Sequence, residues 1–364
     1  MAKQNNQLLL LGAYGRGNVG DDVFILSATA LFKGRTLYIN SADDSLLPEQ
    51  ARGTVRTIST VSPRDVLAKI KLFLALKQVV YWGGDLWVEL YGTKAPRQLL
   101  YKMVAMNLLL RLFGKRIYYI GCGIGDLYGA SRFLARLSAR LARKVVVREQ
   151  RSAGVLDLPQ VAVLPDLAIN LPYNRARRHA LPAKRPFAIV ISVLWSIPHP
   201  EQNFPKVLQA IAGLINSLPA KDFAITLLPM HSTGEDHDDV WASQQLLSQI
   251  QGHEVTVYAN RDLETIVTLL READLVIGTR LHADILAVLN GTPAIGISYR
   301  PKVRSFFADN GLDAYCLDLD DVARLRDVFY RVYDDYKTAA DVFYAASKQN
   351  LEQRGAYEAL VRGL

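Results

Sequence analysis

The feature that most constrains this chain is a pattern that runs twice. Short apolar segments alternate with longer helical stretches, a basic, proline-bearing break interrupts them, and the alternation begins again. In the first half, residues 8–11, 36–40, 79–82, 116–121, 145–148 and 161–164 read as buried strands, each closed by Gly, Pro or a polar residue. Helical spacing falls between them at 23–32, 66–76, 98–113 and 131–142. In the second half the expected strands are 188–194, 224–228, 254–258, 275–278 and 294–298, and the expected helices 204–218, 240–251, 263–273 and 282–290. From residue 320 onward the chain reads as mostly helical. Strands alternating with helices imply parallel sheets with right-handed crossovers. The expected fold is therefore α/β, two Rossmann-like domains with a ligand cleft between them at the carboxyl ends of the strands.

The break lies at residues 174–186, which are basic, carry two prolines and lack apolar periodicity. It divides the chain into an expected N-terminal domain at 1–178, a C-terminal domain at 179–335 and a helical segment at 336–364. A length of 364 residues suits two such domains.

Composition narrows the partners. Cys122 and Cys316 are far apart in apolar surroundings and read as buried thiols, and no Cys/His pair has zinc spacing, so no metal is expected. The apolar run at 8–11 is too short for a signal peptide, and the segment 99–113 is interrupted by Lys102, Asn107 and Arg111. A cytoplasmic protein is expected. Residues 1–180 hold 26 Lys/Arg against 12 Asp/Glu, whereas 181–364 hold 17 against 23. A basic half beside a mildly acidic one suggests that the first domain faces something anionic. Arg132, Arg136, Arg140 and Arg143 share one face of a predicted helix. They read either as a solvated outer face or as a patch for an anionic membrane surface, the inner face of the cytoplasmic membrane. Nucleic acid is not an expected partner, because no known module or aromatic–basic interleaving accompanies the charge.

Two motifs carry chemistry. The first is a glycine loop with a literal G-x-G-x-x-G at Gly15, Gly17 and Gly20, between a strand and a helix. A dinucleotide site would also need an acid closing the second strand, but that strand ends Tyr38-Ile39-Asn40, and Asp21 and Asp22 would crowd a pyrophosphate. A tight turn is the expected structure, with Asn18 and Asp21 reaching substrate hydroxyls or capping the helix. The second motif runs Gly278-Thr-Arg280-Leu-His282-Ala-Asp284, followed by Gly291-Thr-Pro293 and Ser298-Tyr299-Arg-Pro301-Lys302.

Both motifs, in this order, closely resemble the polysaccharide pyruvyl transferase family. So do Trp82-Gly83-Gly84, Gly121-Cys-Gly123-Ile-Gly125, Val147-Arg148-Glu149 with Ser152, Pro165-Asp166 and Pro229-Met-His231. Asp22 stands where the family has Glu, Asp85 where it has a third glycine, and Arg148-Glu149 where it has Arg-Asp. The resemblance implies a GT-B architecture and transfer of the enolpyruvyl unit of phosphoenolpyruvate to a sugar of a cell-surface polysaccharide or its precursor. The product is a pyruvate ketal, and neither metal nor cofactor takes part. It implies a phosphoenolpyruvate site made of Arg148, Arg280, His282 and Lys302, with the second domain as the donor side. The first domain would take the acceptor, a glycan or a nucleotide- or lipid-linked sugar, at a loop of Gly15, Asn18, Gly20 and Asp21.

The chemistry asks for such residues. Phosphoenolpyruvate carries close to three negative charges at neutral pH, which arginine forks and a lysine point charge can hold. Ketal formation protonates the enol methylene, adds one sugar hydroxyl to C2, expels phosphate and closes the ring with a second hydroxyl. His282 could donate the proton; Asp21 or Asp166 could accept the hydroxyl protons, or could be a helix cap and a turn residue. A GT-B glycosyltransferase with a nucleotide-sugar donor would share the fold. It would be expected to offer a ribose-binding carboxylate where this chain offers cations.

Overall fold

The computed structural model describes residues 7–59, 74–87, 95–173, 180–182, 184–234 and 236–364. By contacts it divides into two units: residues 1–16, 20–171 and 353–364 form the first, and 17–19 with 172–352 the second.

In the first unit, strands β1 (Gln7–Tyr14), β2 (Thr36–Ser41), β3 (Val55–Ser59), β4 (Gln78–Trp82), β5 (Asp85–Trp87), β6 (Arg116–Ile124), β7 (Lys144–Val147) and β8 (Val161–Val163) build one sheet. Its order is β3-β2-β1-β4-β6-β7-β8, with β5 added to β6, and every pairing is parallel. All of β6 beyond Arg116 is buried, as a strand covered by helices on both faces must be. The helices are α1 (Val19–Leu31), α2 (Ala95–Leu112), α3 (Ala130–Leu141) and α4 (Gln150–Leu156). The strand order reverses between β1 and β4, where the Tyr14 hydroxyl donates to the Trp82 carbonyl at 2.8 Å.

The second unit repeats the plan with β9 (Phe187–Ser192), β10 (Phe223–Leu227), β11 (Val255–Val257), β12 (Leu275–Gly278), β13 (Ala294–Ser298) and β14 (Cys316–Asp318). The order β11-β10-β9-β12-β13-β14 is the doubly wound nucleotide-binding order, all parallel, reversing between β9 and β12. Its helices are α5 (Pro200–Asn216), α6 (Asp239–Leu247), α7 (Leu263–Glu272), α8 (Leu281–Asn290), α9 (Pro301–Asp309), α10 (Leu325–Asp334) and α11 (Tyr336–Glu352).

Several elements depart from the sequence reading. β3, β5, β14 and α4 were not expected; β5 and β14 are three residues long, too short to show a period. Helix α9 begins directly after Tyr299-Arg300, with Pro301 in its first turn and Arg300 extended before it, so Lys302 sits on a helix rather than in a loop. The helix expected at 66–76 and the break at 174–186 fall largely outside the described residues.

The C-terminal segment is not one body. Tyr336 of α11 donates to the Asp274 carbonyl at 3.1 Å and Ser347 to Leu289 at 2.6 Å, both within the second unit. A last helix, α12 (Arg354–Arg362), belongs to the first unit: Arg354 donates to the carbonyls of Ile169 and Leu171, and Tyr357 to that of Pro165. Polar groups seeking the bare carbonyls of 165–171 decide this, and apolar periodicity does not report them.

Candidate functional site

In the second unit the strand-order reversal places β9 beside β12, and the chain leaving β12 is the Gly-Thr-Arg-Leu-His run. Thr279 staples the two strand ends together: its N–H donates to the Ser192 carbonyl at 2.8 Å, and its hydroxyl accepts from the Leu194 N–H at 2.9 Å. Arg280 is the N-cap of α8, yet its side chain makes no capping bond. It turns to Asp239, the first residue of α6, with Nε to Oδ2 at 2.8 Å and Nη2 to Oδ1 at 2.6 Å. Asp239 is itself buried and also accepts the Met230 N–H at 3.1 Å, so the arginine fork is held in one plane. The guanidinium remains 19% exposed.

Asp238 prepares that helix start. Burial alone would raise its carboxyl, but four backbone N–H groups, from Trp241, Thr233, Gly234 and Val240, hold it below the ordinary value. The loop so fixed lays His237 flat on Trp195, with ring centroids 5.0 Å apart, and Trp241 meets both rings edge-on. Sequence reading passed over Asp239 and this aromatic cluster; the Asp238-Asp239 pair ahead of an apolar helix was the available signal.

His282 is the second residue of α8 and Lys302 the second of α9. Because β12 and β13 are adjacent in register (Gly278 opposite Gly296), both helices start from neighbouring strand ends. The Arg300 guanidinium and the Lys302 ammonium lie 5.6 and 5.8 Å from the Tyr299 ring centre. Two helix N-termini add partial positive charge to this edge. The acid in the first turn of α8, Asp284, does not cancel it. Asp284 is fully buried against Gly278, neither carboxyl oxygen has a hydrogen-bond partner among the described residues, and burial pushes its pKa well up, favouring the neutral acid. Arg280, His282 and Lys302 thus share one cationic carboxyl edge.

Arg148 belongs to the first unit, one residue after β7. Its side chain is 4% exposed and clamped between two carboxylates, Asp85 at 2.6 Å and Asp166 at 3.1 Å. Although burial works against the charge, Asp85 and Asp166 raise the guanidinium pKa above its ordinary value. Gly123 makes the cluster possible, since a Cβ there would lie 2.6 Å from Asp85 Oδ1 and 2.9 Å from Arg148 Nη2. Asp166 is also a cap, its Oδ1 accepting the Ala168 N–H at 2.9 Å. Glu149 is buried, its carboxyl raised by that burial, and accepts the Ser152 hydroxyl at 2.7 Å. Burial pushes both cysteine thiols up to about 12, so neither is a nucleophile at neutral pH.

The glycine loop is divided. Gly15 and Gly17 both take left-handed backbone, and Gly17 abuts the Ser232 carbonyl, leaving no room for a side chain. Asn18 pairs with His231 as an antiparallel bridge and the Val19 N–H donates to the Met230 carbonyl at 2.9 Å, which is why 17–19 group with the second unit. Asp21 and Asp22 occupy the first turn of α1. At the end of β2, where a dinucleotide fold would hold its ribose, Asn40 instead bonds the Gly12 N–H and carbonyl at 2.8 and 2.6 Å.

The model of the polysaccharide pyruvyl transferase family matches residues 18–301, and the chain belongs to that family. None of the curated proteins matches it significantly. Among solved structures, a glycosyltransferase from Rickettsia africae is similar over 98% of each chain at 10% identity, with a TM-score of 0.58. Anabaena HepE in complex with UDP is similar over 98% of each chain at 13% identity and a TM-score of 0.61. A UDP-GlcNAc 2-epimerase from Neisseria meningitidis bound to UDP-GlcNAc matches over 97% of this chain and 99% of its own, at 14% identity and a TM-score of 0.57. Identities this low speak for the fold alone: two Rossmann-like domains of the GT-B class.

Proposed function

We propose that this member of the family transfers the enolpyruvyl unit of phosphoenolpyruvate to two hydroxyls of one sugar on a cell-surface polysaccharide or its precursor, giving a pyruvate ketal and phosphate. The observation that carries the reading is the cationic edge after β12 and β13, where Arg280, His282 and Lys302 stand at two helix N-termini that leave adjacent strand ends, and where burial disfavours charge on Asp284, the acid in the first turn of α8. Such an edge suits a small trianion far better than a ribose, whose hydroxyls call for a carboxylate.

In this reading Arg280 and Lys302 hold the phosphate and carboxylate of the donor. His282 gives its proton to C3, which becomes the methyl group, and C2 turns electrophilic. The first sugar hydroxyl bonds to C2 and releases its proton to a carboxylate, for which Asp21 and Asp166 are the candidates. The C2–O bond to phosphate then breaks, and the phosphate leaves with the cations compensating its charge. The second hydroxyl closes the ring and loses its proton in turn. The resemblance names Arg148 for the donor as well, and Asp85, the more exposed of its two partners, is the carboxylate that a donor oxygen would have to displace. The test is phosphate release from phosphoenolpyruvate against a panel of nucleotide- and lipid-linked sugars, with nucleotide sugars as the rival donors.

A further inference from the structure

Among the described residues, the largest departure from an ordinary surface lies on α2. Tyr101, Met106, Leu108, Leu109 and Phe113 are between 45% and 52% exposed, and Leu112 is 82% exposed. Tyr101, Leu108 and Leu112 form one row along the helix and its end, with Met106, Leu109 and Phe113 in the row beside it, so the six make a single outward stripe. A stripe of this extent on a protein surface marks a contact.

The helix cannot roll to hide it. Its opposite side carries Asn107, fully buried, which accepts from the Tyr81 hydroxyl at 2.9 Å and donates to the hydroxyls of Ser138, at 2.5 Å, and Tyr119. That network ties α2 to β4, β6 and α3 at one rotation; turning the stripe inward would take the Asn107 amide away from all three hydroxyls, leaving Tyr119 and Ser138 only each other.

Charge identifies what covers the stripe. Residues 95–148, which include the neighbouring α3, contain eleven Lys/Arg against one acid, Asp126, and of the eleven Lys115 and Arg148 are buried. Exposed Lys102 stands in the second apolar row one turn before Met106, exposed Arg111 and Arg116 lie beside the stripe, and exposed Arg140 and Arg143 extend the basic surface along α3 and past its end. The expected arginine row of α3 is thereby corrected. Arg132 and Arg136 are spent on the C-terminal end of α4, donating to the carbonyls of Val155 at 3.0 Å and Leu156 at 2.8 Å, with Arg136 also paired to Asp157 at 2.8 Å. A second copy of this chain is a poor occupant, since a two-fold contact would press one predominantly basic face against another. An apolar stripe rimmed by cations matches a bilayer with anionic headgroups, the apolar rows entering the acyl boundary and the cations meeting phosphate. We infer that α2 lays this enzyme on an anionic membrane surface.

Co-sedimentation with vesicles tests it without turnover, so it stands or falls apart from the pyruvyl reading. The protein should pellet with vesicles of phosphatidylcholine mixed with phosphatidylglycerol and stay in solution with phosphatidylcholine alone. Leu112→Asp with Phe113→Asp should weaken binding at least about tenfold, and Lys102→Glu with Arg111→Glu by about fivefold per position at low salt. Both pairs lie on the surface, and an unchanged melting temperature would show that they still fold. Arg132→Gln with Arg136→Gln should matter less than either pair. Three results overturn the inference: wild-type protein that ignores anionic vesicles at low salt, binding that survives the Leu112/Phe113 change, or a dimer in sedimentation that the same change dissolves.

Discussion

The two units carry their principal arginines in opposite ways. Arg148, in the first, is sealed at 4% exposure between Asp85 and Asp166; Arg280, in the second, is gripped from one side by Asp239 and left 19% exposed. A guanidinium compensated by two carboxylates adds little field to its surroundings, and its main physical effect is to knit β5, β7 and the 166–170 turn together. One gripped by Asp239 yet still partly exposed, beside helix N-termini and other cations, presents charge to its surroundings. The family resemblance names both arginines for one ligand, whereas their surroundings fit one for holding structure and the other for display.

The largest expected effect breaks this contrast most directly. Asp166→Ala leaves Arg148 buried with one partner and should cost about 3–5 kcal/mol of stability in denaturant titration. Asp239→Ala releases an arginine that can reach water, and should cost about 1–3 kcal/mol. Equal losses would show that the two clamps do not differ.

Asp85→Gly sharpens the contrast from the ligand's side. Without that carboxylate the Nη2 face of Arg148 has a donor oxygen to gain, and the dissociation constant for phosphoenolpyruvate should fall by about tenfold in calorimetry. An unchanged constant would assign Arg148 to structure alone.

Asp284 supplies the smallest and most pH-dependent effect. Its folded pKa is raised, so above the unfolded carboxyl value, about 4, the unfolded chain releases a proton that the folded chain retains. Its contribution to stability is therefore complete at low pH and is lost as pH rises. Asp284→Asn, which does not titrate, should melt with the wild type near pH 4 and above it by pH 8. A gap that is the same at both pH values would mean that the carboxyl does not titrate as its burial requires.

How much of this was legible follows from which forces leave a pattern. Apolar runs such as Val145–Val147 and Leu275–Gly278 announce a buried parallel strand, and the parallel pairing of both sheets followed from alternation and crossover rules. Arg280, His282 and Lys302 were found because their spacing belongs to a family. Their immediate setting was not, because it is made at a distance: Asp239 meets Arg280 from 41 residues away, and Asp85 meets Arg148 from 63. The α2 stripe was in plain view, but an apolar helix face reads the same whether it meets a core or a membrane. Asn107, buried on the other face, decides which side turns outward.

The central claim is pyruvyl transfer, and one measurement meets it directly: phosphate released from phosphoenolpyruvate in the presence of sugar acceptors, with the product weighed by mass spectrometry. The account predicts phosphate in equal amount to a product heavier than the acceptor by one pyruvate less water, and a loss of turnover of about 10²–10⁴ in His282→Ala. Phosphate with no gain in acceptor mass, or transfer from a UDP-sugar with phosphoenolpyruvate inert, would contradict it.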